Sequence, residues 1–250
     1  MELTRKPFQG VLNILNFNRH FYYFGAIALV ILMAVLFVCK LPLILQAIIL
    51  LGFAYGLLMP LIVSAYVYDF SGYYNFKWLD NFFTNKNKAY KLVNIHAGFD
   101  ETSFILKEKF PNAGLEVFDF YDEARHTEKA IIRAREVSIF YPGTKKISTT
   151  HIPLDTDSVD GIFFLSTIHE VRDHGDKVEF LKECKRALKP NGKLIVVEHL
   201  RDFPNFLAFT IGFTHFFSKA IWKRAFLEAG FNTITERKFT PFMSIFKCDL

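Results

Sequence analysis

Leu92-Val93-Asn94-Ile95-His96-Ala97-Gly98-Phe99-Asp100, followed by Glu101 to Lys109 and closed by Leu115-Glu116-Val117-Phe118-Asp119, decides how the fold is read. Leu92 to Ile95 suits a buried strand, and His96 to Asp100 makes a tight turn around Gly98. Glu101 to Lys109 has helical character, and Pro111-Asn112-Ala113-Gly114 stops it. The second apolar run ends on Asp119. Strand, glycine turn, helix, strand and acid form the layout of a βαβ nucleotide site. In such a site the turn lets a ligand approach the backbone, and the acid accepts hydrogen bonds from ribose hydroxyls. Gly98 alone stands where nucleotide loops usually carry several glycines, so an ordinary α/β turn fits these residues too.

The alternation continues downstream. Glu123 to Glu136 has helical character with Ala130, Ile131 and Ala134 inward, and Tyr141-Pro142-Gly143 turns the chain. Lys146-Ile147-Ser148 is expected as a short strand, and Ile152-Pro153-Leu154 as an extended crossing. Val159 to Leu165 predicts a central strand ending at Ser166-Thr167-Ile168-His169-Glu170. Asp176 is expected to cap a helix whose Val178, Leu181, Cys184 and Leu188 keep helical spacing, ended by Lys189-Pro190-Asn191-Gly192. Lys193 to Val197 is another buried strand, ending at Glu198-His199. Polar residues thus gather at strand ends. Ser218 predicts the cap of a helix running to Ala229, stopped by Gly230. Phe231 to Arg237 and Phe242 to Cys248 read as an antiparallel hairpin.

Upstream, the composition changes. Phe21 to Cys39 is a run of 19 residues without a charge, and after Lys40 comes another uncharged run, Leu41 to Tyr68. A hydrocarbon core takes roughly 20 apolar residues per helix, so two transmembrane helices are expected over 21–68, with Lys40-Leu41-Pro42 as the turn. Gly52 and Gly56 form a small-xxx-small pair that suits close helix approach. Tyr22, Tyr23, Tyr66 and Tyr68 stand where an aromatic belt would lie. No small-residue cleavage site separates the runs, against a signal peptide, and their unbroken apolarity is against buried soluble helices. Arg5, Lys6 and Arg19 on one side and Lys77, Lys86, Lys88 and Lys91 on the other predict a two-span membrane protein with both termini cytoplasmic. Residues 1–20 fit either a short interfacial helix or a frayed leader. Residues 69–90 read as a juxtamembrane linker whose Trp78 and tyrosines rest at headgroup level or pack on the following domain, and 91–250 as a separate α/β domain.

The bulk numbers agree with that division. Of 250 residues 51% are hydrophobic and 30 are phenylalanine, too apolar for an ordinary soluble enzyme. Cys39, Cys184 and Cys248 lie far apart without metal-ligand spacing, so neither a disulfide framework nor a metal site is expected. Net charge is +5 with no basic run interleaved with aromatics, which excludes a nucleic-acid surface.

Ile152-Pro153-Leu154, Ser158-Val159-Asp160, His169-Glu170, the run Leu181 to Val197 and Ala229-Gly230-Phe231 resemble the late motifs of class I S-adenosylmethionine-dependent methyltransferases. The resemblance covers about residues 75 to 250. It implies a Rossmann-like α/β fold whose seven-stranded, mostly parallel sheet ends in an antiparallel hairpin. S-adenosylmethionine would lie at the carboxyl ends of the early strands. Family positions then fall on Asn94, His96 and Gly98 in the loop and Asp119 for the ribose. Ser148 and Thr149 would flank adenine, and Leu165 and Ser166 would line the methionine side. The family's first-strand acid is Asn94 here, and its first and third loop glycines are His96 and Asp100.

Methyl transfer needs alignment and desolvation, with a base only where the nucleophile holds a proton. His169, Glu170 and His199, at the ends of two strands, are the expected catalytic residues; each histidine would serve equally as a loop residue bonded to a carbonyl. Phe203 to Ser218 has no Asp, Glu, Lys or Arg, and its Phe213, His215 and Phe216 are expected to face the acceptor. The same segment fits a core helix or a second membrane contact. The leading expectation is a membrane-anchored methyltransferase acting at oxygen or nitrogen of a lipid-like, hydrophobic or amphiphilic acceptor, such as a phospholipid amine or a polyketide- or quinone-type hydroxyl. The alternatives are the same enzyme with a soluble acceptor, or a non-catalytic membrane protein that keeps the fold to bind a nucleotide or a partner.

Overall fold

The computed structural model describes residues 5–85, 87–125 and 128–250. Lys86, counted above among the flanking charges, lies outside the described residues, as do His126 and Thr127 within the helix expected from Glu123.

Three helices lead the chain: α1 (Gln9–Phe17), α2 (Arg19–Cys39) and α3 (Leu43–Ala65). Lys40 in the left-handed region and Pro42 as the residue before α3 close the turn between the long pair. Both long helices are apolar and long enough to cross a membrane, and only 11% of each apolar window is buried. Phe37, Leu43 and Ile44 are three-quarters or more exposed. The helices approach closely at Gly25, where an added Cβ would sit 2.7 Å from Leu57. Gly52 and Gly56, expected to make that contact, face open space.

α3 continues into a single π-helical turn, Tyr66–Phe70. Short 3₁₀ turns follow at Tyr73–Asn75 and Lys77–Asn81. Tyr73, Phe76, Trp78, Leu79 and Phe83 are buried against Leu92, Phe163, Leu165, Ile195, Val197 and Ile245. Of the two positions open to the linker's aromatics, they take the one on the domain: residues 73–83 fill one face of its sheet.

That sheet has seven strands in the order β3-β2-β1-β4-β5-β7-β6. They are β1 (Lys91–His96), β2 (Gly114–Asp119), β3 (Lys145–Lys146), β4 (Val159–Leu165), β5 (Leu188–His199), β6 (Thr233–Lys238) and β7 (Met243–Asp249). β3 to β5 run parallel, and β7 is antiparallel to both its neighbours. α4 (Thr102–Lys109), α5 (Lys129–Val137), α6 (His174–Ala187), α7 (Phe203–Phe209) and α8 (Lys219–Glu228) complete the chain. This is the Rossmann-like sheet expected above.

Several boundaries differ from expectation. α6 is capped by Asp173, whose carboxylate accepts the Asp176 N–H at 2.9 Å; Asp176 itself lies in the first turn. Lys189 to Gly192 belongs to β5 as an irregularity, where the register against β4 jumps from Val159↔Leu188 to Gly161↔Lys193. β3 is only two residues long, and Ser148 instead makes an isolated bridge to His151. Ser218 does cap α8, accepting the Ile221 N–H, and Gly230 at φ 89° stops it.

Candidate active site

The β1–α4 turn brings the chain's first polar cluster together. Gly98 sits at φ 107°, a conformation closed to most side chains. Asn94 donates through Nδ2 to Thr102 Oγ1 at 2.9 Å and Ser103 Oγ at 2.8 Å, and Asp100 accepts the Ser103 N–H at 2.9 Å. The Gly98 N–H donates to His96 Nδ1 at 2.9 Å. That leaves the His96 proton on Nε2, and burial lowers its pKa, so the ring is neutral. Among the described residues, Asn94 Oδ1, His96 Nε2 and Asp100 Oδ2 are buried without a hydrogen-bond partner, the last two standing 3.7 Å from each other. Unsatisfied polar atoms clustered under a glycine turn are costly, and ligand groups could satisfy them.

Asp119 ends β2 directly beside His96 in the parallel register. Its Oδ1 accepts the Tyr121 N–H, and its Oδ2 is ion-paired with Arg135 Nη1 at 2.8 Å. Arg135 also donates to the Ala97 carbonyl, and its guanidinium lies 4.0 Å from the Tyr121 ring centroid. A Cβ on Gly98 would run into this arginine. Arg135 therefore lies across the opening between the glycine turn and the acid. Beside it is a cleft of about 340 Å³ lined by Asp119, Arg135, Phe140, Tyr141, Gly143, Thr144 and Lys146. Ser148 and Thr149 are absent from that lining; residues 140–146 form the wall in their place, because the chain turns away once β3 ends.

α1 closes over the same turn. Arg5 and Gln9 bind the Glu101 carboxylate, Phe17 meets Phe99 edge-on at 5.2 Å, and Arg133 of α5 donates to the Phe17 carbonyl. Asp69 of the π-turn accepts the Gly10 and Val11 N–H groups at the start of α1. The leading segment is thus docked on the sheet domain, with Phe8 and Leu12 left exposed.

The second half of the rim lies at the ends of β4 and β5. Leu165 is buried, and Ser166 holds φ 58°, an uncommon conformation for a serine and one that turns the chain sharply at the strand tip. His169 Nδ1 is 2.7 Å from Glu198 Oε2, and its Nε2 is 3.4 Å from Glu170 Oε1. Burial pulls the His169 pKa down, but the Glu198 and Glu170 carboxylates more than reverse this and raise it to about 10. Alone, this ring is already protonated at neutral pH. His199 is the opposite case. Its Nδ1 faces two acceptors, Phe242 O at 3.0 Å and Asn205 Oδ1 at 3.2 Å, so the proton is on Nδ1. Its Nε2 lone pair then accepts the Tyr68 hydroxyl at 3.0 Å. Burial lowers the His199 pKa to about 4.

Phe216 stacks on His199 at 4.9 Å, His215 lies 5.1 Å from the His169 ring, and Phe213 packs edge-on against Phe206. The structure thus gathers His169, Glu170, His199, His215 and Phe216 at one rim and Asn94, His96, Gly98 and Asp119 at the adjoining turn. Sequence reasoning missed Tyr68 and Arg135. Tyr68 read as part of an aromatic belt, and only the extra residue of a π-turn, a signal absent from composition, aims it at His199.

A family model described as "Methyltransferase domain" matches residues 106–196. A highly reducing polyketide synthase of Pyrenophora dematioidea is 38% identical over 88 residues, 30% of this chain and 3% of the synthase. This chain therefore spans only a small part of that curated relative. Among solved structures, a SAM-dependent methyltransferase from Aquifex aeolicus superposes with TM-score 0.50 at 16% identity, covering 71% of this chain and 92% of that one. A SAM-dependent methyltransferase from Leishmania major gives 0.48 at 16% identity, over 72% and 73% of the two chains. The fold is that of the class I methyltransferases.

Proposed function

We propose that this chain, on the premise of its class I methyltransferase fold, is an S-adenosylmethionine-dependent methyltransferase held at a membrane by α2 and α3. The observation that carries the reading is the pairing of Gly98 at φ 107° with Asp119 at the tips of adjacent parallel strands. Asp119 would hold the ribose hydroxyls, the Gly98 turn would pass close to the cofactor, and the buried polar atoms of Asn94, His96 and Asp100, which make no hydrogen bond among the described residues, fit a polar ligand above them. Leu165 and Ser166 would line the methionine side. The residues fit the cofactor on one condition: Arg135 must swing off Asp119, and at 24% side-chain exposure it has a path outward. When bound, the cofactor supplies an electrophilic methyl group on a sulfonium.

The acceptor would be lipid-like or amphiphilic. Phe203 and Ile211 are 70% and 83% exposed, and the Tyr55 hydroxyl of α3 donates to the Leu207 carbonyl of α7 at 2.6 Å. Tyr55 precedes the end of α3 by about 15 Å of helix at 1.5 Å per residue, so the Phe-rich cover runs beside the apolar helix. An acceptor arriving between α3 and α7 would meet Phe216, then Tyr68 and His199. An acceptor hydroxyl or amine would release its proton to the Tyr68 oxygen as the Tyr68 proton passes to His199 Nε2. His169, Glu170, Phe213 and His215 would shape the rest of the acceptor side.

Incubating the full chain with methyl-labelled cofactor and a membrane lipid extract tests this reading. Label should appear in the organic phase, and Tyr68→Phe should lower the rate at least about tenfold while cofactor affinity stays unchanged. Label found only in water-soluble products would remove the lipid-like acceptor. A second reading, a non-catalytic protein that keeps the fold, is favoured by one observation: the Arg135–Asp119 pair closes the ribose position.

A further inference from the structure

We infer that His169, Glu170 and His215 form a binding site for a divalent transition-metal ion. Their donor atoms all lie within 4.8 Å of one another. Nε2 of His169 and Oε1 of Glu170 are 3.4 Å apart, and the two imidazole rings meet edge to face at 5.1 Å and 79°. Metal–nitrogen and metal–oxygen bonds run about 2.0–2.2 Å, so donors sharing one ion stand roughly 3.0–3.5 Å apart. The His169–Glu170 pair already stands at that spacing, and the remaining gaps, at most 4.8 Å, would close by rotation of the Glu170 and His215 side chains.

The second observation lies behind the cluster. A ligating histidine usually gives its other ring N–H to a carboxylate, which fixes its orientation and raises its basicity. Glu198 is 1% exposed and does this to His169: its Oε2 is 2.7 Å from Nδ1, while its Oε1 accepts the His169 backbone N–H at 3.3 Å. His169 is thereby locked with Nε2 turned toward Glu170. Arg172 ties the ligand-bearing segments together, donating to the carbonyls of both His169 and His215. Its charge opposes a nearby cation, but Glu128, 3.5 Å from His215 Nδ1, joins Glu170 and Glu198 to offset it. Each proposed ligand is partly exposed, so an ion can arrive from solvent and keep open positions. Two imidazoles and one carboxylate suit zinc, cobalt, manganese or iron rather than calcium or magnesium.

The inference is independent of methyl transfer, since either ligand could bind without the other. The test uses the full chain in detergent, without a histidine tag, stripped with chelator and titrated with Co²⁺, with Zn²⁺ as competitor. One equivalent should bind with visible d–d absorption that Zn²⁺ removes. Loss of an outer-shell partner costs about 10–100-fold, so Glu198→Gln should weaken binding by that much and His215→Ala by more. Cys39→Ser should change nothing. Equal Co²⁺ affinity in wild type and His215→Ala, or less than about a tenth of an equivalent bound by wild type, would overturn the site. Calorimetry with S-adenosylmethionine on the same samples reports separately on the cofactor. Should Glu198→Gln fail to fold, His215→Ala, on a partly exposed 3₁₀ turn, decides the matter alone.

Discussion

His199 and Glu183 show how single side chains set the pH behaviour of the domain. His199 is held neutral, with a folded pKa of about 4 against an ordinary value of 6.5. As pH falls below 6.5 the unfolded chain takes up a proton that the folded chain refuses until about 4. Stability is therefore full above 6.5 and declines below it, by roughly 1 kcal/mol per pH unit. Thermal melts from pH 7.5 to 5 should show a smaller fall in Tm for His199→Gln than for wild type; parallel curves would contradict the assignment. Glu183 acts in the same direction by the opposite means, because here the charged form is the one the fold favours. The Arg186 guanidinium holds its carboxyl below the usual range, and Glu183 also accepts the Ile152 N–H while Arg186 donates to the carbonyls of Ile152 and Leu154. Its contribution is present above the unfolded carboxylate value and lost as pH falls through the lower folded one. Glu183→Gln should cost about 1 kcal/mol at pH 7, by denaturant melts, and the difference should vanish in acid.

Among the elements, the aromatic stretch 73–83 carries the most weight for its length. Phe83 is 2% exposed, and a Cβ on Gly161 of β4 would stand 2.7 Å from its ring, so the two are fitted to each other. Phe83→Ala should cost about 3–5 kcal/mol, measured by denaturant unfolding of the whole chain. A change near zero would mean that the segment is the linker its composition suggested. The strands and helices after Leu92 were legible because most apolar runs alternate with a stop: Gly98 and Gly230 mark real turns, whereas Gly192 falls inside β5 at its register irregularity. What was not legible depends on contacts distant in sequence. α1 reads as a free amphipathic segment until its partner Glu101, some ninety positions on, is known. The fold places His215 beside His169 across 46 residues, so no ligand spacing could announce that pair. Arg135 looks like an ordinary basic residue near a helix end, and only the sheet puts it over Gly98.

Across the whole molecule, an apolar helical pair stands on a Rossmann-like domain, and Tyr68 at the base of the pair touches His199 at its rim. If α2 and α3 cross a bilayer, Cys39 marks the far end. Cys39 is exposed, whereas Cys184 and Cys248 are buried and their thiols pushed far up by that burial. A membrane-impermeant maleimide added to sealed vesicles with the domain outward should leave the chain unlabelled until detergent opens them. Labelling of Cys39 in sealed vesicles would place the tip on the domain's own side. The central claim is that adenosine sits against Asp119, beside the Gly98 turn. Calorimetric titration of the full chain with S-adenosylmethionine tests it most directly. The account predicts one bound equivalent, with affinity lowered at least about tenfold in Asp119→Ala and kept or improved in Arg135→Ala, since a lost charge-assisted hydrogen bond is worth about 1.5–3 kcal/mol. Absence of any heat of binding from wild type and Arg135→Ala alike would contradict it.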